Sequence, residues 1–529
     1  MYQQILDPLF GSLGLSALAA ALPLLVLFAL LGFVRMTAWK ASLIALAVSL
    51  AVAVFVYPMP VDQALLSATL GAAFGFFPIL WIVINAIWIY QMTVTTGHFD
   101  VLQRSFSRVS GDRRIQAVII AFCFGALLEA LAGFGTPVAI TTVMLLALGF
   151  GPITSAVVAL VANTAPVAYG ALASPLVTLA SVTDMPVEQL GAMTGRQTPV
   201  LAVIVPLVLV GIIDGFRGIR ETLPATLTCG ITFGVVQFAA ANYVSVPLTD
   251  IIAALVAAGA TVLLMRVWTP RGAEEVAAGT DSRTEILRAY APYLIVIAVF
   301  VIAQLGPVAD LLDAVTVKFG WPGLDIREPN GEALSLTDFK FDWLSSAGTL
   351  LLIAGMLTVP AIGISARGAL GRYGATYKQL AWPIVTVMTV LAIAYVMNTS
   401  GQTATLGTWM AAAGGLFAFL SPILGWLGTA VTGSDTSSNS LFGALQVTAA
   451  EKAGIEPMLA AAANGSGGVL GKMISPQNLA IAAGAVGMSG REGDIFRRVL
   501  PFSIGFLLLL CVLVALQATP VLGWMTWGL

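Results

Sequence analysis

Long apolar runs alternate with short charged segments along nearly the whole chain of 529 residues. A membrane-spanning helix needs about 20 predominantly apolar residues, because each residue adds about 1.5 Å to a helix and the hydrocarbon core is about 30 Å thick. On this criterion the sequence predicts an all-α, polytopic membrane protein with twelve full crossings. The predicted crossings lie near residues 13–34, 41–57, 67–95, 153–182, 198–214, 222–243, 249–268, 289–312, 343–362, 380–398, 457–489 and 500–520.

Two further apolar segments are interrupted by small and polar residues. The first covers residues 115–149 and is interrupted around Gly133, and the second covers residues 404–448 and is interrupted at 433–439. Inside hydrocarbon, non-helical backbone is tolerated only where it is buried in protein or lines a cavity. We therefore expect each segment to form a re-entrant hairpin, in which two short helices are joined by a buried turn.

Two of the twelve crossings, 153–182 and 457–489, are predicted to be broken helices. Each contains an Asn followed further along by Gly and Ser-Pro, and proline removes a backbone donor and disfavours helix at the residue before it. The second break is expected at 464–476. Interrupted segments at matching places in two halves are the best sequence indication of a transporter's binding site. The alternative is that the glycines are close contacts between packed membrane helices.

The two parts of the chain resemble each other at an offset of 301 residues. The shift carries Gly135-Thr136-Pro137 onto Thr436-Ser437-Ser438. Four identical residues of the broken crossings also match, namely Asn163, Gly170, Ser174 and Pro175 with Asn464, Gly471, Ser475 and Pro476. Two clusters at one offset indicate an internal duplication. The broken crossings are the fourth and the eleventh, and the odd difference between those ranks predicts that the repeats are inverted.

A charged loop at 269–288 divides the chain into two predicted repeat halves, 1–268 and 289–529, and is predicted to be a cytoplasmic linker. An amphipathic connector with several arginines occupies 98–114, and the acidic stretch 313–342 is predicted to be a surface loop. Loops rich in Lys and Arg stay cytoplasmic. Most of the 24 Lys and Arg residues fall in such loops if the N-terminus lies outside, so both termini are predicted to be periplasmic.

Composition agrees with a membrane protein and argues against other classes. Apolar residues make up 58% of the chain and charged residues 9%, whereas soluble proteins carry about 25% charged residues. The net charge of −2 gives no indication of nucleic-acid binding. Three scattered cysteines and one histidine offer neither a disulfide framework nor a metal site. We predict no cofactor and no catalytic residue.

Three charged side chains are predicted to lie deep in the membrane: Glu129, Asp435 and Lys472. Each costs several kcal/mol there unless it is paired or faces water, which makes each a candidate functional residue. The structural alternatives are an ion pair between Asp435 and Lys472, and a Glu129 carboxyl that caps local backbone. The coupling proton is expected on Asp435 rather than Glu129. Desolvation favours the protonated form of Asp435, whereas a nearby Lys472 favours its ionised form. An arriving anion can then decide the balance.

Broken helices also expose N-termini, whose partial positive charge and free N–H groups suit a carboxylate. Hydroxyls and amides near the interruptions can hydrogen-bond a small anion, and one deep lysine beside two carboxyls favours a monoanion. The predicted substrate-binding residues are Gly135, Thr136, Asn163, Thr164, Ser437, Ser438, Asn464, Lys472 and Ser475.

The stretches that contain these residues resemble the L-lactate permease family. The matching motifs are Glu129–Ile140, Ala162–Gly170, Thr432–Asn439 with Leu441–Gly443, and Gly467–Gln477, within a similarity that covers nearly the whole chain. The resemblance implies proton-coupled uptake of 2-hydroxymonocarboxylates, such as L-lactate, D-lactate and glycolate, across the bacterial inner membrane. A sodium-coupled carboxylate symporter is the alternative, because unwound carbonyls and hydroxyl clusters also coordinate Na⁺.

The sequence is also similar, more distantly, to the ion-transporter superfamily, in which two re-entrant hairpins and two broken helices enclose the substrate. That similarity implies an elevator-like motion of the hairpin-bearing part against a scaffold, and a homodimer.

Two other classes of function are distinguished by simple assays. A channel would not concentrate its substrate, and an enzyme would alter its substrate chemically.

Overall fold

The computed structural model describes residues 1–106, 109–133, 135–270, 281–303, 305–329, 331–489 and 491–528. Half of the predicted linker, residues 271–280, lies outside the described residues. Residues 107 and 108 of the predicted connector and Phe134 of the first interrupted segment lie outside them too.

Helices make up most of the described chain. The first twelve are α1 Leu13–Phe28, α2 Ala38–Phe55, α3 Val61–Phe74, α4 Trp81–Thr95, α5 His98–Phe106, α6 Arg113–Val118, α7 Gly125–Ala132, α8 Thr136–Ala147, α9 Pro152–Ala162, α10 Gly170–Thr183, α11 Val187–Thr194 and α12 Thr198–Tyr243. The others are α13 Thr249–Val267, α14 Arg283–Ala303, α15 Gly306–Asp313, α16 Ala347–Ala361, α17 Ala366–Gln379, α18 Ala381–Ser400, α19 Gln402–Met410, α20 Phe417–Thr432, α21 Asp435–Ala453, α22 Pro457–Lys472, α23 Pro476–Ala485 and α24 Glu492–Gln517. π-Helical turns extend α1, precede α4 and join α6 to α7, at Ala29–Phe33, Gly75–Leu80 and Ile119–Phe124.

Within the described residues, ten helical runs are long and apolar enough to cross a membrane, and eleven if the bent pair α9–α10 is counted as one span. The polytopic, all-helical fold predicted from the sequence is confirmed. The predicted crossings 198–214 and 222–243 follow each other within α12, a run of 46 residues that is kinked at Asp214 and Gly215. The predicted crossing 343–362 contains α16, which at 15 residues is one of the shorter apolar helices.

Two helix pairs occupy the segments predicted as hairpins. The chain turns at Gly133 and Gly135 between α7 and α8, and at Gly433 and Ser434 between α20 and α21. The three glycines have φ values of 40°, 81° and 79°, a conformation that residues with a Cβ rarely adopt. Ser434 then caps α21, because its hydroxyl accepts a hydrogen bond from the Ser437 amide. The chain can therefore turn sharply between two helices that pack together.

The first broken helix comprises α9 and α10, which are bent by 63° relative to each other. Three successive residues at the start of α10, Ala171, Leu172 and Ala173, have positive φ values. At the offset of 301 residues their counterparts are Lys472–Ile474, where α22 ends and α23 is about to begin. The two breaks therefore fall at equivalent positions of the repeat.

The second break is shorter than the predicted 464–476. Helix α22 continues through Asn464 and ends at Lys472, so the first part of that prediction is wrong. The Asn464 side chain donates to Asn439 Oδ1 at 2.8 Å and accepts from Gln446 Nε2 at 3.1 Å. Its polar atoms are satisfied by a neighbouring helix, which leaves the backbone of α22 helical.

The repeats pack against each other in a reciprocal way. Helix α8, the second helix of the first pair, packs against α23, the second part of the second broken helix. Helix α21, the second helix of the second pair, packs in turn against α10, the second part of the first broken helix. Such an exchange of equivalent contacts is what two repeats related by a pseudo-twofold axis produce.

Short strands join the N-terminus to the stretch 313–342, which is more ordered than the predicted loop. The strands are β1 Tyr2–Gln3, β2 Val317–Gly320, β3 Ile326–Arg327 and β4 Asp338–Phe341. β1 pairs in parallel with β3, and β2 pairs in antiparallel fashion with β4. The Tyr2 hydroxyl lies 2.7 Å from the Tyr57 carbonyl oxygen and 2.9 Å from that of Ser400. The N-terminus and this stretch therefore lie on the same side of the membrane, as the predicted orientation requires.

Candidate binding cavity

A cavity of about 820 Å³ lies where the two helix pairs and the two broken helices meet. Part of its wall comes from the turn 431–437, the start of α10 and the start of α23. Another part comes from residues 35–39 at the start of α2 and from Trp382, Pro383, Thr386 and Val387 of α18, two helices that pack against each other. Glu129 and Lys472, near the ends of α7 and α22, line it as well. Cavities of about 300–1,000 Å³ are typical of sites for small molecules.

The cavity contains a buried ion pair between Lys472 and Glu129. The Lys472 Nζ atom donates to Glu129 Oε1 at 2.6 Å, with only 8% and 4% of the two side chains exposed. Asn163 Nδ2 donates to the other carboxylate oxygen, Oε2, at 2.9 Å. Gly170 leaves room for the carboxylate, since a Cβ atom there would lie 2.8 Å from Oε1. Each repeat therefore supplies one charge of the pair.

The alternative of an ion pair between Asp435 and Lys472 is wrong in this structure, and Glu129 is more than a cap for local backbone. Lys472 and Glu129 are 343 positions apart in the chain. Their proximity follows from the way the two repeats pack, which sequence spacing does not reveal.

The Asp435 carboxyl also lines the cavity but has no ion-pair partner among the described residues. Its side chain is buried, and Oδ1 accepts a long hydrogen bond of 3.4 Å from Thr429. Oδ2 has no hydrogen-bond partner in the part of the chain that the structure describes. Gly468 lies so close that a Cβ atom there would overlap Asp435 Oδ1. The carboxyl is thus held in position with one oxygen unsatisfied.

Two helices begin at the cavity wall. Residues 434–437 at the start of α21 line the cavity, as do Pro476 and Gln477 at the start of α23. Helix N-termini carry free N–H groups and partial positive charge, and both favour a bound anion. Together with the Lys472 ammonium, they give this part of the wall the electrostatics of a carboxylate site.

Aromatic side chains form another part of the wall. Trp39 and Trp382 both line the cavity and stack with ring centroids 4.4 Å apart, and Arg35 and Thr386 lie on the same wall. Sequence reasoning does not find these residues. The sequence places Arg35 in a predicted basic cytoplasmic loop, and tryptophans at helix ends form no motif. No sequence signal therefore points to their position at the cavity.

The structure brings only some of the predicted functional residues together. Four of them line the cavity: Glu129, Asp435, Ser437 and Lys472. Asn163 and Thr164 lie beside a separate small void that also touches Lys472. The Thr164 hydroxyl donates to the Val161 carbonyl oxygen in the last turn of α9, so it is already engaged.

The other predicted residues lie away from the cavity wall. They are Gly135, Thr136, Ser438, Asn464 and Ser475. Ser438 donates to the Gly425 carbonyl oxygen at 3.0 Å, and Ser475 donates to that of Lys472 at 2.9 Å. These contacts hold the helix pair and the break in place, so the polar residues around the interruptions include structural ones.

A third deep carboxyl, Asp250, is missing from the sequence prediction. It lies in the first turn of α13 with none of its surface exposed. Its Oδ1 atom accepts a hydrogen bond from Gln237 Nε2 at 3.0 Å. In the sequence Asp250 stands at the start of a predicted crossing, where an acidic residue is common at the membrane surface, so its burial is not apparent there.

Comparison with known proteins identifies the family of this chain. The L-lactate permease family model matches residues 16–521. The chain belongs to the L-lactate permease family. The resemblance noted in the sequence motifs is thereby confirmed, and this family member is a membrane transporter rather than an enzyme.

This permease is similar to relatives over nearly its whole length. It is 40% identical to the L-lactate permease of Bacillus subtilis (strain 168) over 560 residues, which cover 99% of each chain. It is also 40% identical to the glycolate permease of Escherichia coli (strain K12) over 540 residues, or 96% of each chain. Among solved structures it is similar to the Neisseria gonorrhoeae antimetabolite efflux pump MtrF, with 13% identity and a TM-score of 0.45. That similarity covers 85% of this chain and 83% of the other.

Proposed function

We propose that this permease takes up L-lactate, D-lactate and glycolate together with protons across the bacterial inner membrane. Its relatives are named as permeases for lactate and for glycolate, and both substrates are 2-hydroxymonocarboxylates. The observation that carries the proposal is one buried ammonium group, Lys472, beside the N-termini of α21 and α23 in one cavity. One buried cation with two helix N-termini matches a single carboxylate better than a di- or tricarboxylate. Arg35, the other cation of the wall, is exposed.

Substrate binding is proposed to compete with Glu129 for Lys472. The ammonium lies 2.6 Å from Glu129 Oε1, so a substrate carboxylate that reaches it weakens this ion pair. A third negative charge then enters a cavity that already contains Glu129 and Asp435. Repulsion among three carboxylates is relieved when one of them takes a proton. Proton and substrate therefore raise each other's affinity, as symport requires.

Asp435 is the proposed proton carrier, and Glu129 is the alternative. Asp435 Oδ2 has no partner among the described residues, whereas both oxygens of Glu129 are engaged. Intramembrane carboxyls of this type serve as proton relays in transporters. Ser437, on the same cavity wall, is proposed to hydrogen-bond the substrate. The predicted residues away from the wall are proposed to support the hairpins and breaks.

Uptake into proteoliposomes tests the proposal and separates it from sodium coupling. Vesicles loaded at neutral pH are diluted into acidic buffer with labelled lactate, either without sodium or with an inward sodium gradient at equal pH. The proposal requires accumulation above the equilibrium level with the pH gradient alone. Accumulation that follows only the sodium gradient would establish the sodium symporter instead, and equilibration without accumulation would indicate a channel.

A further inference from the structure

The cavity does not include the most deeply buried carboxyl of the described chain. Asp250 has none of its surface exposed and is not part of the cavity wall. Gln237 of α12 satisfies Oδ1, but Oδ2 has no hydrogen-bond partner among the described residues. A carboxylate buried without a counter-ion is very costly, while the protonated acid is far less so. A group in this state binds a proton when it is isolated from water and releases it when it is not.

The ionisable groups around Asp250 do not neutralise it. Helix α7 packs on α13 and carries the carboxyl of Glu129, and the turn before α10 carries the phenol of Tyr169, so neither element supplies a positive charge. Helix α12 presents the neutral amide of Gln237. The π-helical turn that packs on α13 contains Cys123, which lies 3.4 Å from Cys229 of α12.

Hydrogen bonds and a short stretch of backbone link Asp250 to the ion pair in the cavity. Gln237 Nε2 contacts both Asp250 Oδ1, at 3.0 Å, and the carbonyl oxygen of Ala165, at 3.2 Å. Ala165 belongs to the unwound segment between α9 and α10, only two positions after Asn163. Asn163 donates in turn to Glu129, the partner of Lys472. Any rearrangement of the broken helix that accompanies substrate binding therefore alters the surroundings of Asp250.

We propose that Asp250 is a second proton-binding site of the transport cycle, distinct from the hairpin carboxyl. The inference rests on the proposed proton symport. One proton carried with a monoanion makes transport electroneutral, whereas two protons carried with it move one net positive charge inward per cycle. A second proton site therefore predicts that transport moves net charge across the membrane, whereas a single proton site predicts that it does not.

The test measures lactate accumulation in proteoliposomes against an inside-negative potassium diffusion potential, with a fixed pH gradient. One extra charge is worth about 2.3 kcal/mol per 100 mV, and a tenfold change is about 1.4 kcal/mol. Wild-type accumulation should therefore rise roughly tenfold for every ~60 mV. In Asp250→Asn, which keeps the shape of the side chain and removes the titrating group, accumulation should follow the pH gradient but not the potential.

Asp62→Asn serves as the matched control, because Asp62 is also a first-turn carboxyl but lies exposed at the start of α3. It should retain the wild-type dependence on potential. The inference is overturned if wild-type uptake is insensitive to the potential, a result that needs no variant, or if Asp250→Asn responds as wild type does. Wild-type protein that shows no pH-driven accumulation would overturn the proposed function itself, and the inference with it.

Discussion

At the level of single residues, the ion pair between Glu129 and Lys472 is the interaction whose loss is expected to cost the most stability. Removing one partner of a buried pair leaves an uncompensated charge and costs about 3–5 kcal/mol, whereas replacing both partners is often neutral. The pair is almost fully enclosed, and Asn163 supplies the remaining hydrogen bond of the carboxylate. Its role in stability and its role in transport can therefore be separated by comparing single with double variants.

Lys472→Met should abolish lactate uptake and destabilise the protein by about 3–5 kcal/mol, because Glu129 is left unpaired. Adding Glu129→Gln should restore most of the stability but not uptake, since the ammonium is still missing. Thermal unfolding in detergent and uptake into proteoliposomes measure the two effects. Lys452→Met, on the exposed end of α21, is the control and should change the stability by no more than about 0.5 kcal/mol. Wild-type uptake by Lys472→Met would remove Lys472 from the mechanism.

Asp435→Asn should retain exchange of labelled for unlabelled lactate while it loses accumulation driven by a pH gradient. The amide resembles the protonated carboxyl, so substrate can bind, but no proton can be released. Counterflow and pH-driven uptake are measured in the same vesicles. If the variant still accumulates lactate in response to the pH gradient, Asp435 is not the carrier, and Glu129→Gln is the next variant to measure.

At the level of secondary-structure elements, the glycines of α22 have two different roles. A Cβ atom at Gly467 would meet the backbone of Pro422, and one at Gly471 would meet that of Trp426. These positions are close contacts between packed helices, which is the structural alternative that the sequence left open. Gly468 instead faces the Asp435 carboxyl. A single glycine-rich motif thus serves both the packing of α22 and the shape of the cavity.

Gly468→Ala should impair transport because the added methyl group displaces the Asp435 carboxyl. Overpacking of this kind costs about 1–3 kcal/mol, which exceeds the gain of roughly 1 kcal/mol from replacing glycine by alanine within a helix. Gly505→Ala in α24 is the control, because no other described group lies within 4 Å of the added Cβ atom. Uptake and thermal stability are compared in the two variants. Equal uptake by both would show that the position of Asp435 is not critical.

At the level of the whole molecule, the N-terminal strand makes the topology testable. The pairing of β1 with β3 places the N-terminus and the stretch 313–342 on the same side of the membrane. Charge distribution predicts that this side is periplasmic. The three native cysteines are buried, so an introduced surface cysteine should dominate labelling by a polar thiol reagent.

Lys318→Cys should be labelled by a membrane-impermeant maleimide in intact cells with a permeabilised outer membrane, whereas Arg367→Cys should be labelled only after the inner membrane is disrupted. Lys318 lies on β2 and Arg367 near the start of α17, and both are exposed. A permeant reagent gives the total for each variant. The reverse pattern would mean that the predicted orientation is inverted.

Much of the architecture is determined by the sequence alone, because hydrocarbon places strict demands on the chain. Backbone groups must be satisfied locally, so apolar runs predict helices, and the glycines at 133, 135 and 433 mark the turns where helices stop. The cost of a deep charge is equally local, and it is enough to single out Glu129, Asp435 and Lys472 as functional candidates. The offset of 301 residues makes the duplication of these features visible in the chain itself.

Only the tertiary structure decides which of these groups meet. Lys472 pairs with Glu129 rather than with Asp435 because α22 and α7 come from different repeats and converge on one cavity. Packing also turns Asn464 away from that cavity, towards Asn439. It buries Asp250, whose position in the sequence is that of an ordinary helix end. The partner of a polar side chain depends on which distant elements pack beside it, and spacing along one chain carries no record of that packing.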